Sequence, residues 1–331
     1  MIHSSSSPNG NIYTPAGYRN MVKMSKFKFI LVEGKDDKTT FKYLIEELFG
    51  KRPDIIVKGA HEIRFGSNIE NREDDIGNRE RVEIIAESIK NKKYAKRFVG
   101  FVDREFRGFT LDNEIKDVIG KHNVTDRLIW SRGHSLENYY FDFSSLRRPL
   151  RHFSMTPHFD DALDLFEQNF EQIIRLACSV GLAGMKCGML QYVKRSIDWT
   201  VLEFNTLDLT INTANWRRIL NQKRIKSEDV NTIIETFQKL LEKLLITNFN
   251  VVRWICHGHI GITVIWAAYA RCVFEVCQRL GNEDPRSEAI NVIRANETVR
   301  CNGCASEWAQ QALNKSCEYP AEIFNLLELT N

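Results

Sequence analysis

Four carboxylates closely follow two apolar runs of the chain. Glu33 and Asp37 follow the first clear apolar run, and Asp103 and Glu105 follow the run FVGFV. Hard cations such as Mg²⁺ and Mn²⁺ prefer carboxylate and water oxygens as ligands. Clustered carboxylates without a cation would repel one another. Glu33, Asp103 and Glu105 are therefore candidate ligands of one metal site, and a bound cation would supply a Lewis acid for phosphoryl chemistry. Asp37 alone is explained by a first-turn acid that the helix dipole favours.

A metal site of this kind requires both apolar runs to be strands of one sheet. Strands alternating with helices predict a parallel α/β sheet with right-handed crossovers. The carboxyl ends of neighbouring parallel strands meet at one edge, where such sheets bind ligands. A polar stretch, 61–78, is predicted to be an inserted loop. The predicted strands are Phe27–Val32, Asp54–Lys58, Phe98–Val102 and Arg127–Trp130, and the first predicted helix is Asp37–Phe49, with Asp36 as its N-cap.

The second half of the chain has a different sequence pattern. Helical periodicity dominates after about residue 150, so this half is predicted to be mainly helical. The predicted organisation is a flexible leader at 1–25, an α/β domain at 26–145 and a mainly helical domain at 146–331. The stretch Ile262–Leu280 looks too apolar for one buried stripe, so we expect part of its surface to pack on the sheet and part to bind a second copy or another protein. The alternative is that these helices form only an internal core.

Composition limits the classes of protein. With 331 residues, 43% hydrophobic and 27% charged, the chain is typical of a soluble globular protein. We find no apolar stretch of the ~18 to 20 residues that a membrane span needs and no signal peptide, so we expect a cytoplasmic location. The net charge of +3 is too small to indicate a nucleic-acid partner by itself.

The eight cysteines are expected to be mostly reduced. Only Cys301 and Cys304 have C-x-x-C spacing, and buried or surface thiols are favoured over zinc ligands there.

Two runs are basic and contain no acid: KNKKYAKR at 90–97 and ANWRRILNQKRIK at 214–226. Dense Lys and Arg give affinity for phosphate, and Trp216 in the second run could stack on an unpaired base. Solvated helix faces explain such runs equally well. The candidate nucleic-acid-binding residues are Lys35, Lys92, Lys93, Arg217, Arg218, Lys223 and Arg224.

Two polar groups lie outside the predicted strands. In GHSLENYYF, His134 either positions a substrate or caps the next element, which we favour, and Glu137 alone would be unremarkable. In CHGH, the residues Cys256, His257 and His259 have a metal-ligand spacing but form an incomplete site. A plain histidine at a helix start explains His259 as well as a functional one does.

The segments VEGKDDKTTF, GFVDREF and GHSLENYYF together resemble the Toprim family. The resemblance is to Toprim-type nucleases of the overcoming-lysogenization-defect class, and more narrowly to the AriB-type effectors of the PARIS anti-phage defence system. It covers roughly residues 27–142, and WICHGHIG resembles, more weakly, a Gly-His or Gly-Lys motif of such proteins.

The resemblance implies a Toprim fold, which is a Rossmann-like parallel sheet with flanking helices, and roles for particular residues. Glu33, Asp37, Asp103 and Glu105 match Mg²⁺ or Mn²⁺ ligands, of which all but Asp37 are also catalytic. Glu137 matches a further catalytic acid. His259 would reach the phosphate or the leaving group in place of a lysine. The usual acid pair is Asp-x-Asp, whereas this chain has Asp-x-Glu, so metal dependence is better supported than two-metal cleavage.

The function implied by the resemblance is a Mg²⁺-dependent endonuclease that acts as a toxic effector. It would be held inactive by an ABC-type ATPase and would cut RNA, with tRNA favoured over DNA. From the apolar helices of the second half we expect a homodimer when active. The alternative is an inactive Toprim module that serves as an adaptor for the ATPase or for DNA, which the intact acids disfavour. A primase or topoisomerase fragment is disfavoured because the chain lacks a catalytic tyrosine context and an N-terminal zinc ribbon.

Overall fold

The computed structural model describes residues 12–65, 76–112 and 114–329. Short 3₁₀ helices lie at Ala60–Glu62, Ala95–Arg97, Leu136–Tyr140 and Trp199–Val201. The α-helices and strands in chain order are α1 (Pro15–Met24), β1 (Lys28–Val32), α2 (Lys35–Phe49), β2 (Ile55–Gly59), α3 (Asn78–Ile89), β3 (Phe98–Val102), β4 (Phe109–Thr110), β5 (Lys116–Asp117), β6 (Asn123–Thr125), β7 (Leu128–Trp130), α4 (Phe143–His152), α5 (Phe159–Gln168), α6 (Phe170–Lys186), α7 (Leu190–Lys194), β8 (Leu202–Asn205), β9 (Asp208–Ile211), α8 (Thr213–Gln222), α9 (Ser227–Ile246), α10 (Phe249–Ile255), α11 (Gly258–Arg279), α12 (Pro285–Ile293), α13 (Glu297–Leu313) and α14 (Ala321–Leu326).

The chain forms two compact units, and the first contains a five-stranded sheet. This sheet unit comprises the described residues up to Asp103, together with 121–131 and those from Tyr319 onward. Its strand order is β2-β1-β3-β7-β6. All neighbours are parallel except β6, which pairs antiparallel with β7. Side chains along β3 are buried on both faces, as expected for an apolar strand inside a parallel sheet. The predicted α/β class is confirmed.

The first helix corrects the prediction of a flexible leader at 1–25. Thr14 caps α1, since its Oγ1 accepts the Gly17 N–H at 3.0 Å, and Pro15 is the first helical residue. Tyr18 and Val22 are completely buried in the core of the sheet unit. The part of the leader that the structure describes is therefore mostly a capped helix with a buried apolar face.

The predicted inserted loop, 61–78, is described only at its two ends. It begins within the 3₁₀ helix Ala60–Glu62, and Ile63 forms a β-bridge with Tyr13. Its last residue already belongs to α3, and 66–75 lie outside the described residues.

The C-terminal residues belong to the sheet unit, although the sequence placed them in the helical domain. The ring of Phe324 on α14 lies 5.0 Å from that of Phe49. Arg127 Nη1 donates to the Leu326 carbonyl at 2.8 Å, and Lys28 Nζ donates to the Glu328 carbonyl at 3.0 Å. The end of the chain thus packs and hydrogen-bonds to the unit that carries β1.

The second unit, residues 104–120 and 132–318, is mainly helical, as predicted, with small hairpins β4–β5 and β8–β9. Its α11 packs against α5, α6 and α12. By length and composition α11 could cross a membrane, which corrects the statement that no apolar stretch is long enough for a span. However, 78% of its most apolar window is buried inside the protein. This is typical of a core helix. The residues that suggested a free apolar surface on this fully described helix are all buried: Val264, Ile265, Ala268, Cys272, Val273 and Val276.

Candidate functional site

Two of the predicted site residues meet at the carboxyl edge of the sheet. Strands β1 and β3 are parallel neighbours, with Leu31 opposite Gly100. Glu33 and Asp103 each follow the last residue of their strand. The Asp103 N–H donates to Glu33 Oε1 at 2.8 Å. One Glu33 oxygen is thereby fixed at the start of the acid-x-acid segment.

Asp37 lies one helical turn beyond Glu33 and has a structural role of its own. Gly34 is the N-cap of α2, and its N–H donates to Asp37 Oδ2 at 2.8 Å, which is the half of a capping box that a glycine N-cap allows. The first turn of a helix also favours a carboxylate through the helix dipole. Asp36 lies inside that turn, so its predicted role as N-cap is wrong. A metal-ligand role for Asp37 stays a prediction.

A cluster of Lys38, Lys58 and Glu62, which sequence reasoning missed, occupies the same edge of the sheet. Both lysine Nζ atoms donate to the Glu62 carboxylate at 2.8 Å, and the Gly59 N–H adds a bond of 3.0 Å. Burial raises the pKa of Glu62, but the bonds from the two lysines outweigh it and lower the pKa to about 2. Gly59 pairs with Val32, which places this charged cluster beside the end of β1. The i, i+4 spacing of Lys58 and Glu62 was the only local signal for it.

Arg104, the middle residue of the acid-x-acid segment, is a buried anchor in the helical unit. Its side chain is 1% exposed, and Nη2 donates to Asp117 Oδ1 at 2.6 Å. Nη1 donates to the Arg132 carbonyl at 2.9 Å, and the guanidinium lies 4.0 Å from the Phe109 ring. No local sequence signal marks this arginine as buried. Burial of the central residue fixes the backbone that carries Glu105.

Glu105 has an exposed side chain on an unusual backbone. Its φ of 51° lies in the left-handed region, which non-glycine residues rarely adopt. Its N–H donates to the His134 carbonyl at 2.7 Å. This bond connects the acid-x-acid segment to the GHSLENYYF segment within the helical unit.

The GHSLENYYF and WICHGHIG segments are hydrogen-bonded to each other. The His134 N–H donates to the Trp254 carbonyl at 2.6 Å. Asn138 Nδ2 donates to the carbonyls of Arg253 and Cys256 at 2.7 and 2.8 Å. These bonds hold the end of α10, and hence the start of α11, against the 3₁₀ helix that carries Glu137.

The buried histidines of these segments are neutral. The rings of His134 and His257 lie 4.6 Å apart. Burial lowers the pKa of His134 to about 3 and that of His257 to about 4. His134 does not cap the next element as we had favoured, because Ser135 is the N-cap of the following 3₁₀ helix.

Glu137 and His259 are brought together at the start of α11. Glu137 Oε1 lies 3.6 Å from His259 Nδ1. A Cβ on Gly258 would come within 2.5 Å of Glu137 Oε2 and 2.1 Å of Ser135 Oγ, so only glycine admits the carboxylate this close to the helix N-terminus. His259 Nδ1 also lies 2.8 Å from Glu297 Oε1, a partner that sequence reasoning missed.

The candidate nucleic-acid-binding residues fall into two groups. Lys35, Lys92 and Lys93 belong to the sheet unit, and the arginines and lysines of 217–224 to the helical unit. All are exposed except Arg217, which is partly buried and bonded to Asn231. Trp216 is completely buried and its Nε1 donates to Ser196 Oγ at 2.7 Å, so the prediction that it stacks on a base is wrong.

The donor sets differ in how well they suit a metal. Within the described ranges, no group of three or more His, Cys, Asp or Glu side chains is arranged to hold a metal ion. Cys301 and Cys304 are buried on α13, and burial raises the pKa of Cys304 to about 12, which disfavours the thiolate that zinc requires. Glu33, Asp37 and Asp103 offer oxygen donors near one sheet edge, the type of ligand that Mg²⁺ and Mn²⁺ prefer.

A scan against protein-family models found no match to this chain, and a search of the curated proteins found none. The functional argument therefore depends on the residues of the site and on the sequence resemblance.

Proposed function

We propose that the protein is a metal-dependent Toprim-type nuclease that hydrolyses a phosphodiester bond in nucleic acid, with RNA, and tRNA in particular, favoured over DNA. The observation that carries the proposal is the contact of Glu33 with the Asp103 backbone at the carboxyl ends of β1 and β3. Ligands of open α/β sheets bind outside the carboxyl ends of the strands. A Glu-Gly strand end beside an acid-x-acid strand end is also the arrangement to which the resemblance points.

The metal would be held by Glu33, Asp37 and Asp103, and the resemblance adds Glu105. When bound, Mg²⁺ or Mn²⁺ supplies a Lewis acid that polarises a phosphate oxygen and neutralises developing charge. The chain supplies orientation, because the Asp103 N–H fixes one Glu33 oxygen. Lys38 and Lys58 share one carboxylate at this edge, so the cluster keeps a positive charge that favours an approaching polyanion.

The helical unit contains an imidazole whose surroundings suit proton transfer. The His259 side chain is 49% exposed, and its Nδ1 is bonded to Glu297. Nε2 is therefore the ring nitrogen left to exchange a proton with another molecule. The resemblance implies that His259 acts on the phosphate or the leaving group, and Glu137 Oε1 lies 3.6 Å from its Nδ1.

The biological setting is proposed from the resemblance alone. The nuclease would be a toxic effector in the cytoplasm, restrained by an ABC-type ATPase partner of the same anti-phage system. A homodimer remains part of the proposal, but the apolar residues of α11 that suggested it are buried inside the helical unit.

The alternative is an adaptor that kept the fold and lost the chemistry. One observation favours it: in the described part of the chain, no three of the acids gather into a metal-holding group. Metal binding by the purified protein separates the two candidates.

The test uses two substitutions that keep side-chain shape, Glu33→Gln and Asp103→Asn. Each removes one charge from the proposed metal ligands, so we expect Mg²⁺-dependent cleavage of tRNA to fall at least about 100-fold. Glu46→Gln on the exposed face of α2 is the matched control and should cleave like wild type.

Cleavage would be measured on tRNA, single-stranded RNA and duplex DNA, with Mg²⁺, with Mn²⁺ and with EDTA, and folding by circular dichroism. EDTA should abolish cleavage. Wild-type protein that cuts none of these substrates with either ion, or a Glu33→Gln protein that cuts as fast as wild type, would contradict the proposal.

A further inference from the structure

Three charged side chains from separate helices form a continuous line in the helical unit. Lys194 Nζ lies 2.7 Å from Glu297 Oε2, and Glu297 Oε1 lies 2.8 Å from His259 Nδ1. Lys194 Nζ also bonds to Oε1 at 2.9 Å, so the carboxylate contacts the lysine through both oxygens and the imidazole through Oε1. The three residues lie on α7, α13 and α11.

Helix ends account for the position of the carboxylate and the lysine. Glu297 is the first residue of α13, where the helix dipole favours an anion, and Asn296 caps that helix. Lys194 is the last residue of α7, where the dipole favours a cation. The two helix dipoles therefore stabilise the charges of Glu297 and Lys194, in addition to the attraction between the two side chains.

Exposure decreases from the imidazole towards the lysine. The side chains of His259, Glu297 and Lys194 are 49%, 37% and 24% exposed. An ion pair between Lys194 and Glu297 alone would need no histidine. The hydrogen bond to Nδ1 orients a ring whose other nitrogen has no hydrogen-bond partner among the described residues.

The charged and titratable groups that face His259 shift its pKa in opposite directions. The hydrogen bond that His259 donates to Glu297 raises the pKa of His259, and the nearby charge of Glu137 raises it further, whereas burial and the charge of Lys194 lower it. The His257 ring lies 6.0 Å away and is neutral because burial lowers its pKa to about 4. The pKa of Glu297 is lowered to about 2, chiefly by the bond from His259. Both shifts favour an imidazolium–carboxylate pair.

We infer that Glu297 is a positioning residue for His259, which fixes a proton on Nδ1 and presents Nε2 for proton transfer, while Lys194 holds the Glu297 carboxylate in place. The inference rests on the proposed nuclease function. In that reaction water forms a new P–O bond, and the bond to the leaving oxygen breaks. The leaving oxygen keeps that electron pair and takes the Nε2 proton of the imidazolium, and the attacking water loses its proton to solvent.

The first test does not depend on activity. NMR of ¹⁵N-histidine-labelled full-length protein follows the titration and tautomer of His259 in wild type, Glu297→Gln and the control Glu307→Gln. The control lies on the same helix and pairs with Arg148 instead. We expect the pKa of His259 to fall and its preference for the Nδ1–H tautomer to weaken in Glu297→Gln only. An unchanged titration in Glu297→Gln overturns the inference.

The second test measures the pH profile of cleavage. His259→Asn should reduce kcat/KM about 10²- to 10⁴-fold, and Glu297→Gln about 10-fold. Because Glu297→Gln lowers the pKa of His259, the limb of the profile that reports the imidazolium moves to lower pH. Glu297→Asp, which keeps the charge, should move that limb less.

The double variant His259→Asn/Glu297→Gln decides how Glu297 acts. A residue that acts through His259 has no further effect once His259 is replaced, so the double variant should match His259→Asn. A further 10-fold loss in the double variant overturns the inference. If wild-type protein cleaves nothing, the proposed function fails, and the NMR titration alone confirms or overturns the pairing.

Discussion

Arg104 offers the sharpest prediction about how the acid-x-acid segment is held. Arg104→Met removes a guanidinium from a site that is 1% exposed and leaves a side chain of similar length. The lost contacts are donated bonds to the carbonyls of Arg107, Gly108 and Arg132, the bond to Asp117 Oδ1, and the contact with the Phe109 ring. Methionine keeps only part of the packing against that ring.

The magnitude follows from the charge left behind. Asp117 is 5% exposed, and without Arg104 its carboxylate keeps, among the residues that the structure describes, only the N–H bonds from Ile119 and Gly120. Removing one partner of a buried ion pair costs about 3–5 kcal/mol. Asp117→Asn leaves an acceptor for the backbone and should cost about 1–3 kcal/mol. Arg104→Met/Asp117→Leu leaves no buried charge, so it should be more stable than Arg104→Met.

The pH dependence has a definite sign. Burial raises the pKa of Asp117, but the bonds from Arg104 and the backbone outweigh it, so the folded pKa is below its ordinary value of 3.8. A group with a lowered folded pKa stabilises the protein above its unfolded pKa and loses this effect as pH falls through the folded one. The stability difference between wild type and Arg104→Met should therefore shrink on acidification below about pH 4.

Urea unfolding followed by tryptophan fluorescence at pH 7 measures these free energies. Arg148→Met is the control, because Arg148 is 73% exposed and its ion pair with Glu307 should contribute below about 1 kcal/mol. An Arg104→Met protein within about 1 kcal/mol of wild type would refute the reasoning. So would a double variant less stable than Arg104→Met.

Two further predictions concern the start of α11 and the end of the chain. Gly258→Ala places a Cβ 2.5 Å from Glu137 Oε2, so it should displace that carboxylate and reduce cleavage. The control is Gly303→Ala on α13, whose Cβ has no neighbour closer than 3.7 Å and which should leave cleavage unchanged. Equal activity of both variants would show that the close approach is unimportant. Truncation after Glu318 removes α14 and its bonds to the sheet unit, so the melting temperature should fall, as measured by circular dichroism; an unchanged melting temperature would show that α14 adds no stability.

The sheet could be predicted because the apolar run of each buried strand can be recognised in the sequence by itself. Strand β1 was predicted at 27–32 and lies at Lys28–Val32, and β3 was predicted without error. A run of apolar residues buried on both faces needs no partner to be recognised. The meeting of Glu33 and Asp103 at one sheet edge then followed from the parallel pairing of these strands. Metal binding and the reaction itself remained a matter of resemblance.

The pairings inside the helical unit could not be predicted, because periodicity describes one element and not its partner. Asn138 bonds to residues 115 and 118 positions away, and nothing in the local sequence marks this. Likewise, nothing in the local sequence links Glu297 to His259, 38 positions away. Arg104 looked solvated because charged residues are rarely buried, and its partner Asp117 lies across a hairpin too short to have a clear strand pattern.

The predicted metal ligands also stabilise the fold, which determines how their roles can be separated. Glu33 accepts the Asp103 N–H, and Asp37 accepts the Gly34 N–H. Alanine at either position would remove a charge and leave a backbone donor without its acceptor, so a loss of activity would be ambiguous. An amide keeps an oxygen acceptor and removes only the charge. Loss of cleavage in Glu33→Gln with unchanged stability would therefore point to the chemistry, because the contact to β3 is retained.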